Sequence, residues 1–453
     1  MAQSARAFVG PVIHSLSAAE LEILPSALLV VNGEGEIAAF VQNADPQQAK
    51  DTLNGLNFSP DLVTVHHLAP GQILIPGFVD THNHAPQWAQ RGLGQGMHIL
   101  DWLDAITFPN EARFSDPDYA HRIYANCVDG FLRQGITTAS YYGSIHGDAT
   151  KILASLCLEK GQRALVGKCN MTRNAPEYYL DSSAGESLRV TEDCIAHIRS
   201  LNAGKLVQHV LTPRFAISCD PEVLQGLGAI ARNNPDLPIQ THFNEAEQEM
   251  KATMELFPQF TSEADLYEHY GLLGKRSILA HCCYMTEYEM ERLKALDCGV
   301  AHCPISNMTV GGGFMAAPIR DFMRRGIKVG LGTDSGGGFS SSILDAIRQA
   351  MIASHSREVT SKGYDKGLSI DEAFYLATLG GAQVCGLDET VGNFQVGKAF
   401  DAIVVGTLGA EQGIITVVEE NDSLKTVFEK FIMTGDDRNI VKVYVQGRAV
   451  KGS

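Results

Sequence analysis

Positive charge is scarce in this chain: 36 Lys+Arg stand against 52 Asp+Glu, a net charge of −16 with histidine neutral. No run of five or more basic residues interrupts that balance. A nucleic-acid backbone binder needs clustered Lys and Arg to displace phosphate counterions, so that class is excluded. Also missing is an apolar stretch of about 18 residues, the least that spans a bilayer as a helix. The opening residues MAQSARAFVGPVIHSL lack the charged region and long apolar run of a secretory signal. The ten cysteines (Cys127, Cys157, Cys169, Cys194, Cys219, Cys282, Cys283, Cys298, Cys303 and Cys385) form no CxxC pair and no PCxxC. That removes a tetrathiolate zinc site and the HxE-plus-PCxxC zinc pattern. The thiols read as reduced and buried rather than as a disulfide framework. Together these absences predict a cytoplasmic protein with neither nucleic acid nor membrane as partner.

What the chain does have is apolar surface. With 453 residues, 45% hydrophobic and only 19% charged, it must bury a sizeable core, as two or three domains or as one large barrel with additions. Short runs rich in Val, Ile and Leu recur: 73–79, 135–142, 164–170, 206–212, 237–243, 277–283, 299–303 and 327–333. Longer amphipathic stretches such as 116–134 and 285–297 lie between them. Near-continuous apolar strands alternating with helices indicate a parallel sheet. Eight such units within roughly 260 residues match the span of a (β/α)8 barrel. No GxGxxG turn follows any of these runs, which weakens the doubly wound alternative. The ends differ. Residues 1–72 contain ALLVVNGEGEIAAFV, two strand-like runs joined by a GEG turn, and residues 386–453 contain FDAIVVGT and NIVKVYVQGRAVKG. The expected architecture is α/β: a TIM-like (β/α)8 barrel over 73–385, with a small β-sandwich domain built from both termini, 1–72 and 386–453.

Polar residues gather at one end of these strands. The first run leads into Asp80-Thr81-His82-Asn83-His84, and residues two apart on a strand share a face, so both imidazoles can reach one metal ion. The fifth run ends in His242, with Glu245 three further on; the sixth ends in His281 and the eighth in Asp334. Each has a bland reading: an incidental HxH, a hydrogen-bonded core histidine, an Asp334 that only caps a helix, a Glu245 that is a surface carboxylate. Their coincidence at equivalent strand ends, where barrels carry catalytic residues, favours a zinc or iron site. His302 and His146 are weaker candidates near the same end. Strand four ends Leu211-Thr212-Pro213-Arg214-Phe215 without a lysine that could bridge two ions. Lys205 lies at its opposite end and Lys168 inside strand three, so one metal ion per chain is expected.

PGFVDTHNHAPQ (76–87), THFNE (241–245), LAHCCY (279–284) and GLGTDSGGG (330–338) resemble the metal-dependent amidohydrolase superfamily. LDWLDAITFPNEARF (100–114) and LTPRFAISC (211–219) are similar, more narrowly, to the guanine deaminases of animal and fungal type, and likeness runs over nearly the whole chain. The resemblance implies a zinc held by His82, His84, His242, His281 and Asp334. It implies Glu245 as proton shuttle, with Asp334 sharing the catalytic work. Its purine-contacting positions are His84, Ala85, Pro86, Gln87, Arg214 and Phe215, besides His242, Glu245 and Asp334. It further implies a homodimer that hydrolyses guanine to xanthine and ammonia. Arg214 is a permanent donor suited to a carbonyl oxygen such as O6, or else a salt-bridge partner of a carboxylate. Phe215 stacks on the purine or belongs to the core. Ile305 in AHCPISN, Pro86 in HAPQ and the TDSGGG run depart from the family's usual residues and touch substrate preference. The alternatives are an amidohydrolase acting on another aminated ring, such as a pterin, a triazine or another purine, and a non-catalytic purine-binding relative.

Overall fold

The computed structural model of the chain describes residues 5–44, 46–55, 63–204, 206–310, 315–406 and 417–452. Alternating apolar residues at both ends produce one sheet. The N-terminal part supplies β1 (Arg6–Ser17), β2 (Glu20–Val31), β3 (Ile37–Gln42), β4 (Thr64–His67) and β5 (Gln72–Pro76). The C-terminal part supplies β16 (Ala402–Gly406), β17 (Ile440–Val445) and β18 (Arg448–Lys451). Their order is β18-β17-β16-β5-β1-β2-β3, with β4 also paired to β1, so the two ends of the chain meet where β5 and β16 run antiparallel. The GEG turn closes because the Asn32 carboxamide oxygen accepts from the Glu34 and Glu36 N–H groups, at 2.9 Å each. Period two then sorts the side chains. Ile73, Ile75, Ile403 and Val405 join the large core, while Leu74, Ala402 and Val404 join a cluster with Phe8, Phe400 and Tyr444 on the other face.

The apolar run 73–79 divides at Gly77: 73–76 belong to β5 in the terminal sheet, and the barrel begins with β6 (Phe78–His84). A side chain at Gly77 would lie 2.1 Å from the Thr137 hydroxyl, so only glycine lets the chain pass this closely from sheet to barrel. The remaining barrel strands are β7 (Ile136–Tyr142), β8 (Arg163–Gly167), β9 (Cys169–Asn170), β10 (Val207–His209), β11 (Thr212–Pro213), β12 (Ile239–Phe243), β13 (Ser277–His281), β14 (Gly299–His302) and β15 (Lys328–Leu331). They pair in parallel as β6-β7-β8-β10, β9-β11 and β12-β13-β14-β15. A bridge between Leu211 and Ile239 joins one seam. At the other, the Thr81 hydroxyl donates to the Leu331 carbonyl (2.9 Å), and the Asp334 N–H donates to the His82 carbonyl (2.9 Å). The eight sequence runs thus become the eight strand positions of a (β/α)8 barrel. The ten cysteines are all free and buried. Among the described residues, no helix is long and apolar enough to cross a membrane.

Candidate active site

At the C-terminal ends of the strands, β6, β12, β13 and the segment after β15 converge. His82, His84, His242 and His281 are all buried, as is Asp334. The Asp334 carboxylate stands 3.3 Å from His82 Nε2 and 3.5 Å from His84 Nε2. His84 Nε2 and His242 Nε2 are 3.2 Å apart. Ligand atoms of His82, His242 and His281 lie within 4.8 Å of one another, as do those of His82, His84 and Asp334. Four residues of the site have unusual backbone. His281 (φ 75°), Cys282 (φ 50°), Asn244 (φ 45°) and Asp334 (φ 43°) all adopt left-handed backbone, which is uncommon for non-glycine residues.

Hydrogen bonds on the far side of two rings settle which nitrogen faces inward. His242 Nδ1 donates to the Arg214 carbonyl at 2.6 Å, and His281 Nδ1 donates to the Asn307 carboxamide oxygen at 2.7 Å. Each Nε2 lone pair is therefore presented to the centre, the arrangement by which outer partners orient metal-binding imidazoles. Burial holds His84 and His242 well below the usual histidine range, so they are neutral and available as ligands. Burial raises the Asp334 carboxyl, but the His82 imidazole 3.3 Å away and the other facing imidazoles outweigh it and hold it well below the usual carboxylate range. Four neutral imidazoles and one carboxylate form a donor set that fits a borderline cation such as zinc. Lys168 cannot bridge a second ion, because its ammonium is held by Asp181 (2.6 Å) and Ser187 (3.2 Å). Lys205 lies outside the described residues. Beneath the cluster, buried Asp80 accepts from the Thr333 hydroxyl (2.6 Å), the Thr333 N–H (3.0 Å) and the His82 N–H (3.2 Å), tying β6 to the residue before Asp334.

Glu245 stands beside the cluster, one carboxylate oxygen 3.6 Å from His281 Nε2 and, among the described residues, without a hydrogen-bond partner. Burial, reinforced by Asp334 and Glu249, pushes its carboxyl well above the usual range. Arg214 is engaged in the way its alternative reading foresaw: its guanidinium forms a bidentate pair with Glu111, at 2.6 and 3.1 Å. Burial pulls the Arg214 pKa down, but the Glu111 charge more than offsets this and raises it. Gln87 Nε2 donates to the same carboxylate at 2.8 Å, and the Tyr179 hydroxyl at 2.5 Å. Phe215 lies flat on His242, ring centroids 4.0 Å apart, so one of its faces is occupied by a metal-ligand candidate. Ala85 and Pro86 open the short 3-10 turn Ala85–Gln90 that carries Gln87. Ile305 is buried in the helix Pro304–Thr309, whose Asn307 orients His281. His302 is buried but outside the ligand groups, and His146 packs beside Tyr179, ring centroids 6.0 Å apart.

Sequence reasoning passed over Glu111, Tyr179, Asn307 and Tyr142, the last packed at 4.7 Å against both His82 and His84. Glu111 sat inside the quoted segment TFPNEARF without a role, and Asn307 inside AHCPISN. A cleft of about 690 Å³, within the range of small-molecule sites, is lined by Leu103, Phe108, Asn174, Ile217 and Leu256 from the loops after β6, β9, β11 and β12.

A parallel barrel with imidazoles and an aspartate at its strand ends defines a metal-dependent hydrolase, and the chain belongs to the amidohydrolase family, whose profile matches residues 73–450. Within that family its likeness is to guanine deaminases. It is 37% identical to guanine deaminase of Dictyostelium discoideum over 451 residues, covering 98% of each chain. To that of Rattus norvegicus it is 38% identical over 449 residues, 98% of this chain and 96% of the relative. The crystal structure of guanine deaminase from C. acetobutylicum with bound guanine in the active site superposes with a TM-score of 0.88 at 31% identity, covering 98% of this chain and 99% of that one.

Proposed function

We infer that the protein hydrolyses guanine and water to xanthine and ammonia. The observation that carries this is the convergence of four imidazoles and Asp334, with the Glu245 carboxyl alongside, in a chain similar over 98% of its length to guanine deaminases. His82, His84, His242, His281 and Asp334 would hold one zinc ion. Zinc supplies Lewis acidity, which brings the pKa of a bound water to about 7. The rest of the chemistry is proton handling. The C2–N bond to the exocyclic amine breaks and a C2–O bond forms. One water proton ends on the ring nitrogen beside C2, the other on the departing ammonia. A single carboxyl can relay both if its pKa lies near neutrality. Glu245, buried and raised, suits that task, and the ionised Asp334 accepts or orients the water proton first. Gln87, Arg214 and Phe215, with the backbone at His84–Gln87, line the place of the purine.

The chain acts, in this reading, as a cytoplasmic homodimer on a small-molecule substrate; the family resemblance supports this, and sedimentation of the purified protein tests the stoichiometry. The deciding experiment is metal analysis paired with ammonia release from guanine, adenine, 2-aminopurine, cytosine and a pterin. About one zinc per chain and highest kcat/KM for guanine are expected. Two fully occupied metals, or a better substrate among the others, would overturn the respective part.

A further inference from the structure

Glu111 is a fully buried carboxylate that no catalytic step uses. It lies in the short helix Phe108–Ala112 and collects donors from three separate loops: Gln87 after β6, Tyr179 after β9 and Arg214 after β11. Four hydrogen bonds of 2.5–3.1 Å saturate both oxygens, so Glu111 has no lone pair directed elsewhere and is a positioning residue.

Its charge dictates what its neighbours offer. A carboxylate only accepts, so the Gln87 carboxamide must turn its nitrogen toward Glu111 and leave its oxygen on the other side. That oxygen is buried and, among the described residues, has no partner. It lies against Gly336, where a Cβ would come within 2.9 Å of it. Arg214 gives one N–H from each terminal nitrogen to Glu111, and its Nε is likewise buried and unpartnered among the described residues. Among the described residues this leaves the Gln87 oxygen as an acceptor and the Arg214 Nε–H as a donor without partners.

We propose that Glu111 is the residue that sets substrate polarity: by orienting Gln87 and Arg214 it makes the pocket select an oxo-purine edge, a carbonyl acceptor together with a ring N–H donor, over an amino-purine edge. This rests on the guanine reading above. Guanine presents O6 to the Arg214 donor and a ring N–H to the Gln87 acceptor. 2,6-Diaminopurine keeps the 2-amino leaving group but replaces O6 with a donor and the N1–H with an acceptor, so both contacts are reversed. Buried polar groups left facing their like discriminate far more strongly than a misfit in volume.

The test is Glu111→Gln, purified with its metal and assayed on guanine and 2,6-diaminopurine. A neutral carboxamide at 111 can donate as well as accept, which frees Gln87 to turn over. The guanine preference in kcat/KM should fall by at least about tenfold, with a raised KM for guanine and the smaller change in kcat. Equal losses on both substrates with the preference intact would make Glu111 merely structural and overturn the proposal. If the variant does not fold, competitive inhibition of the native enzyme decides: hypoxanthine should bind at least about tenfold tighter than adenine, and equal binding refutes the proposed polarity. Native enzyme inactive on guanine would instead refute the function itself, so the two failures are told apart.

Discussion

Two side chains separate chemistry from metal binding at the scale of the residue. Glu245 approaches the cluster at 3.6 Å from His281, and that carboxylate oxygen has no hydrogen-bond partner among the described residues. Glu245→Gln keeps volume and a polar head but cannot carry a proton. Turnover should fall by at least about 100-fold while metal content stays normal, as metal analysis and steady-state kinetics on one preparation will show. Near-normal turnover would place the proton work on Asp334. Asn307 poses the complementary case. Its carboxamide oxygen accepts from His281 Nδ1 at 2.7 Å and fixes which nitrogen faces the metal. Asn307→Leu removes that acceptor, and metal affinity should drop by about 10–100-fold in competition with a chelator. Unchanged affinity would mean that packing alone holds the ring.

Among the elements, β5 and β6 are joined through a close approach to β7. Both halves of the run 73–79 are buried, so each is as apolar as the other, and hydrophobic pattern cannot reveal where sheet ends and barrel begins. Gly77 marks the place because a Cβ there meets Thr137 at 2.1 Å. Gly77→Ala should therefore destabilise by about 1–3 kcal/mol through overpacking, read as a lower urea midpoint with unchanged slope. Pairing it with Thr137→Gly should recover most of the loss if the contact is the cause. A midpoint unaffected by Gly77→Ala would mean that β6 shifts freely relative to β7.

For the whole molecule, acid stability depends on buried histidines outside the ligand set. His209 at the base of the barrel and His302 at its rim are both pushed down to about 3, chiefly by burial. An unfolded chain takes up these protons below about pH 6.5, whereas the fold refuses them until about pH 3. Stability is thus complete above about 6.5 and declines as pH falls toward 3. For one such group the slope approaches about 1.4 kcal/mol per pH unit. His209→Leu should flatten the decline between pH 6 and 4.5, measured by denaturant unfolding at each pH. Parallel curves for the two proteins would show that His209 is already protonated in the fold. The terminal sheet and barrel also share a buried ion pair, Arg163 with Asp401 at 3.1 Å, so the two are expected to unfold together.

What could be read from sequence alone was whatever depends on spacing along the chain. Period-two pairing put His82 and His84 on one face, apolar runs of strand length alternating with amphipathic stretches implied eight parallel strands, and the GEG turn announced its hairpin. The metal-ligand candidates lay at strand ends, and topology carries all strand ends to one side, so they too were legible. Tertiary structure alone decided who partners whom across loops. Arg214 is 103 residues from Glu111, Tyr179 is 68 and Gln87 is 24. No local pattern says that three loops will deliver three donors to one carboxylate, because a charge finds its partner through space and the barrel's closure sets that space. The same holds for Asn307 behind His281 and Asp80 beneath Thr333. Strand ends are fixed by periodicity; the orientation of the groups they carry is fixed by neighbours that only folding brings near.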